Sequence, residues 1–199
     1  MRPRKQRAPQ AMRPPLLPGS WRSPGRRRRT ALWSLGGLAV AFFVAQGILD
    51  LELQDRGSGI IAFEVAGSEQ RAGEILDEWG GDGRATARAQ LWIDYPYLVC
   101  IALFVSLACV AVADGIRSRP GLAAAGAAIA WLPLAAGVFD ASENAALLVM
   151  LGSGAGQPAP AIALGAATMK YVCGVGAALY LLAGLAVRSG ERLARGRGA

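Results

Sequence analysis

GLAAAGAAIAWLPLAAGVFDASENAALLVML, residues 121–151, is apolar or small throughout except for Asp140, Ser142, Glu143 and Asn144. At about 1.5 Å of rise per residue, a helix of this length crosses a hydrocarbon core of about 30 Å. Residues 31–50, 91–114 and 161–187 form three further stretches of the same kind. The expected fold class is therefore all-α, a four-helix transmembrane bundle whose third span is 122–151. Composition agrees: 53% of the chain is hydrophobic and 18% charged, with mean hydropathy +0.34. Soluble domains carry about 25% charged residues.

Charge is distributed by segment. Residues 1–29 hold Arg2, Arg4, Lys5, Arg7, Arg13, Arg22 and the run Arg26, Arg27, Arg28, Arg29, with no acid. Arg117 and Arg119 precede the third span; Arg188, Arg192, Arg195 and Arg197 follow the fourth. The connection 51–90 is instead net acidic. By the positive-inside rule both termini are cytoplasmic and the 51–90 loop faces outward, in a multi-pass protein of the cell inner (cytoplasmic) membrane. The first span reads as an uncleaved anchor, since its apolar stretch exceeds a signal core and no small-x-small site follows. The chain then divides into a disordered basic tail (1–29), a membrane domain (30–187) and a second basic tail (188–199). The expected partners are the lipid bilayer and anionic headgroups drawn to the N-terminal tail, at about 1 kcal/mol per basic residue. No nucleic-acid partner is expected; an oligomer is open.

The chain has no histidine. Imidazole-based triads, histidine-ligated haem and histidine-bound zinc are therefore excluded within it. Cys100, Cys109 and Cys173 lie inside spans without C-x-x-C spacing and read as small packing residues. No cofactor or metal is expected. Pro133 is placed to kink the third span, and its alanine-rich start suits close helix packing.

The 51–90 connection is too long to be only a linker. IIAFEV, residues 60–65, is short and apolar around Glu64, and Ser68 is placed to cap a helix. Ala72, Ile75, Leu76 and Trp79 recur at helical spacing, with Glu69, Arg71, Glu74, Asp77 and Glu78 mostly on the other face. The expectation is an extra amphipathic helix ended by Gly80 and Gly81, with its apolar face on the outer mouth of the bundle or in the headgroup region.

Depth brings the intramembrane polar residues together. Counted from the arginine-rich ends, Asp50, Asp94, Asp140 and Lys170 each lie about 27–34 Å along their helices. Asp140, Glu143 and Asn144 stand at i, i+3 and i+4, so they share one face. An unpaired charge at mid-bilayer costs about 2.5–3.5 kcal/mol on insertion scales, so these groups should face inward. Lys170 is the only lysine in any span and is expected to pair with Asp140 or Glu143, with Asp94 and Asn144 nearby. Tyr95, Tyr97 and Tyr171 can supply hydroxyls at that level. More acids than bases remain, which makes a carboxyl a candidate acid, base or proton carrier.

Phe63-Glu64 with the helix to Trp79, Asp94 with Tyr97, Asp140-x-x-Glu143-Asn144, and Lys170 together resemble a family of bacterial four-span integral membrane proteins that has no established activity. The resemblance covers roughly residues 45–175 and implies a shared site without a chemistry. The layout alone is also similar to the four-span sterol-isomerase fold, whose members hold acidic residues in a cavity within the bundle. The functional expectation is a small lipid-like or amphiphilic ligand held by Glu64, Asp94, Tyr97, Asp140, Glu143, Asn144, Lys170 and Tyr171. The alternatives are a membrane enzyme using one carboxylate as acid or base, a proton-linked transporter, and a structural or regulatory subunit.

Overall fold

A computed structural model describes residues 25–116 and 118–196 of the chain. Six helices follow in order: α1 Arg26–Gln54, α2 Ile60–Glu64, α3 Glu69–Gly115, α4 Pro120–Ile129, α5 Leu132–Ser153 and α6 Ala159–Gly196. No strand occurs among the described residues. Four helical stretches are long and apolar enough to cross a membrane: α1, α3, α4 with α5, and α6. Their outward surfaces are apolar, with Trp33, Phe43, Ile48, Val138, Val175 and Leu182 all exposed. Contiguous exposure of this kind is foreign to a soluble monomer and suits contact with lipid chains.

The centre of the assembly is α3. Along one side it packs against α1, and along the other against α5 and α6, which also pair with each other; α4 bears on α3 and α6. Helix α3 starts where Ser68 predicts, with Ser68 Oγ accepting a hydrogen bond from Arg71 N at 3.2 Å. Ala72, Ile75, Leu76 and Trp79 are buried as the spacing requires. The helix turns sharply at Gly80, which adopts φ 60°, ψ −163°, a conformation open essentially to glycine alone. The amphipathic helix thus ends at Gly80 as the sequence reading has it, and a second helix, the span itself, follows without a loop; the two are the arms of α3. Helix resumes directly because Arg84, Ala85, Ala87, Arg88 and Ala89 are good helix formers.

The third span is interrupted where Pro133 predicts a kink: Pro133 has no N–H, and its ring crowds the carbonyl of Ile129, where α4 ends. Ala130 N and Trp131 N close turns onto Gly126 O and Ala128 O, and α5 begins anew with Ala135 N on Trp131 O at 2.9 Å. The first basic segment is not disordered to residue 29, because α1 already starts at Arg26 and Arg28 Nη1 meets Asp114 Oδ2 at 2.6 Å. Its remainder, residues 1–24, lies outside the described residues. The C-terminal basic segment is helical as well. It continues α6 to Gly196, held by Arg188 Nη1 on Ala111 O at 3.0 Å and by Ser118 N on Glu191 Oε1 at 2.6 Å.

Two apolar cores result. At the end remote from the arginines, Leu53, Phe63, Ile75, Trp79, Leu147 and Met150 interlock. There the Phe63 and Trp79 rings meet edge to face at 5.0 Å, and Trp79 Nε1 donates to Ser58 O at 2.6 Å. At the arginine-rich end, Cys109, Val112, Ile116, Ala130, Ala177 and Tyr180 form the second core. Between the two, the helices enclose a cavity.

Candidate functional site

Antiparallel α1 and α3 are brought into register by the Phe43 and Tyr97 rings, 6.4 Å apart. One turn further from the arginine-rich end, α1 presents Gln46 and α3 presents Asp94. Across from them, α5 offers Asp140, Glu143 and Asn144, and α6 offers Lys170 and Tyr171. Helix α2 closes the polar end. Its first amide, Ile60 N, donates to Asp50 Oδ1 at 2.6 Å, so α1 holds the start of α2 in place.

Lys170 sits at the junction. Its ammonium has three N–H groups and meets three carboxylates: Glu143 Oε2 at 2.8 Å, Asp140 Oδ1 at 3.0 Å and Glu64 Oε2 at 3.3 Å. The sequence reading offered Asp140 or Glu143 as partner; the ammonium reaches both and Glu64 as well. Glu143 is the most enclosed, with no exposed surface, and its contact with Nζ is close but too oblique for a hydrogen bond. Tyr171 OH reaches Glu64 Oε2 at 3.4 Å, and the Tyr171 ring lies 5.3 Å from Nζ. The α5 motif divides at this point. Asp140 and Glu143 turn to α6, whereas Asn144 turns to α3 and its Nδ2 donates to Asp94 Oδ2 at 2.6 Å.

The cavity has a volume of about 590 Å³, within the usual 300–1,000 Å³ of small-molecule sites. Asp50, Glu64, Gln90, Asp94, Asp140 and Lys170 line one end. Leu98, Ile101, Val105, Pro133, Ala177 and Leu181 line the other. Phe43, Ile61 and Tyr171 line it while staying exposed, so the cavity opens sideways between the helices. Polarity thus changes along its length, from a charged end to an apolar one.

Of the eight residues picked from the sequence, Glu64, Asp94, Tyr97, Asp140, Lys170 and Tyr171 line the cavity. Glu143 and Asn144 stand behind the wall and tie Lys170 and Asp94 to α5. Asp50 lines the cavity, but its oxygens already serve Ile60 N and Gln54 Nε2. Tyr95 turns away to meet Trp92 at 5.6 Å and is not part of the lining.

The apolar lining escaped the sequence reading, and so did Phe43 and two amides, Gln46 and Gln90. Gln46 was detectable, as an amide within an otherwise apolar first span. Gln90 was not, because it stood as the last residue of a loop, whereas the second arm of α3 already carries it. Both amides carry a buried atom without a hydrogen-bond partner, Gln46 Nε2 and Gln90 Oε1.

Comparison of the chain with protein-family models, with curated proteins and with solved structures returned no match.

Proposed function

We propose that this chain is a multi-pass protein of the inner (cytoplasmic) membrane that binds a small lipid-like or amphiphilic molecule within its helical bundle. The observation that carries this reading is the graded lining of the 590 Å³ cavity, charged at the Lys170 end and apolar at the Leu181 end. An amphiphile has the same polarity along its own length. Its head would meet Asp94, Asp140 and Lys170, and its chain would lie against Leu98, Ile101, Val105 and Leu181. The sideways opening supports entry from the hydrocarbon layer. A water-soluble ligand would have no reason to arrive there.

Orientation follows the charges. Arg28, Arg188 and Arg192 lie at one end of the bundle, and the positive-inside rule assigns that end, with both termini, to the cytoplasm. Its basic residues would then meet anionic headgroups. The Lys170 cluster lies toward the opposite leaflet, beneath α2 and the first arm of α3.

Native mass spectrometry of the protein extracted from its membrane tests the reading. Gly174 lines the cavity, and a side chain added there meets no atom within 4 Å of its Cβ. Gly174→Leu should therefore fill the apolar end without disturbing the fold. The expected result is one amphiphile retained by the wild type and lost from Gly174→Leu. Equal retention by both, or retention by neither, would count against the proposal.

A further inference from the structure

We infer that the head group this cavity selects is a cationic amine, seated against Asp94. The inference rests on the cavity being a ligand site, and goes beyond it by assigning the ligand's charge.

An anionic head has no counter-charge to meet. Among the described lining residues Lys170 is the sole basic side chain, and its ammonium already donates to Glu64 and Asp140 and lies 2.8 Å from Glu143. A phosphate or carboxylate would have to displace one of these and would stand among the rest. Four carboxyl groups, those three and Asp94, surround one ammonium, so the site as a whole attracts positive charge.

Asp94 is the carboxylate free to act. It is only 9% exposed, and among the described residues it accepts a single side-chain hydrogen bond, from Asn144 to Oδ2, and meets no ammonium. One turn away on the same face of α3 stands Gln90, 3% exposed, with its Oε1 lacking any donor. A buried acceptor beside a cavity is costly to leave unmet, so a ligand that brings N–H groups to this wall is favoured over one that brings oxygens. One turn in the other direction, Tyr97 with its neighbour Phe43 offers ring faces, the surfaces that cations prefer among apolar ones. Orphan amide, carboxylate and Tyr97 ring thus follow one another down α3, with the Phe43 ring of α1 beside the last. Gln46 Nε2, level with Asp94 on α1, is the one orphan donor among the described lining residues and suits an oxygen carried next to the amine.

The test uses three probes with a common dodecyl chain and different heads: primary ammonium, sulfate and maltoside. The full-length protein is held in nanodiscs of zwitterionic lipid, and each probe competes for a photoreactive dodecyl amine cross-linked to the cavity. The ammonium probe should compete at least tenfold more strongly than the other two. Asp94→Asn should reduce that preference to about equality while the chain still binds. Gln90→Met, which keeps the size and removes the acceptor, should lower it several-fold and serves where Asp94→Asn fails to fold. Equal competition by all three heads, abolished by Gly174→Leu, would overturn the cationic assignment and leave the cavity as a ligand site. Preference for sulfate would also overturn it. Competition by none of them, with cross-links unaffected by Gly174→Leu, would overturn both.

Discussion

Glu143 Oε2 lies 2.8 Å from Lys170 Nζ, and Glu143 has no exposed surface at all. A carboxylate so enclosed has no water to turn to, so its ionised form depends on that one ammonium. Removing the base should therefore cost more than removing an acid. Breaking one side of a buried pair typically costs about 3–5 kcal/mol. Lys170→Met should approach this loss in an unfolding titration in detergent, and adding Glu143→Gln to it should recover a large part. If the double variant is no more stable than Lys170→Met alone, the two side chains are not coupled.

Glu64 joins α2 to the cluster through Lys170 and Tyr171. Because Lys170 keeps Asp140 and Glu143 and no charge is left unpaired, Glu64→Gln should cost the bundle less stability than Lys170→Met. It should nevertheless loosen α2 over the polar end. Backbone amide exchange at residues 60–66 should speed up, with the amides of α5 unchanged. Equal exchange in both proteins would mean that Glu64 does not hold α2 down.

Gly80 is held at a positive φ with open space around it. The requirement is thus torsional and owes nothing to crowding. Gly80→Ala should destabilise the arm 69–79 by about 1–3 kcal/mol, the usual toll of a strained backbone position. The loss should be read as faster amide exchange around Trp79. An undisturbed arm would mean that the turn is not imposed by this residue.

Much of this arrangement was legible in the sequence, for reasons that differ by residue. Hydrophobic length alone gives the four apolar helices, because each must offer about 20 apolar positions. The i, i+3, i+4 spacing of Asp140, Glu143 and Asn144 put them on one face, and equal depth brought Lys170 to them. That depth argument could not tell which neighbour each would choose. Asn144 faces α3 while Glu143 faces α6, a division set by how α5 is wedged between those helices. Glu64 was picked from the loop by resemblance to a family, and its contact with Lys170 depends on the fold of α2 across the bundle's end. The break at Ala130 and Trp131 was hidden for another reason: Pro133 announces a disturbance but not whether a helix bends or stops. Gln90 was missed because Gly80 and Gly81 read as the end of a helix, whereas only Gly80 leaves the helical conformation and the chain resumes helix at once.

The central claim is that an amphiphile lies inside the bundle, and cross-link mapping tests it most directly. A diazirine placed near the end of an alkyl chain should label Ile101, Val105 and Leu181, which line the cavity's apolar end. In Gly174→Leu, with unfolding unchanged, those adducts should fall at least tenfold. Adducts confined to the exposed residues Val172, Val175 and Leu182, in equal yield from both proteins, would contradict the account.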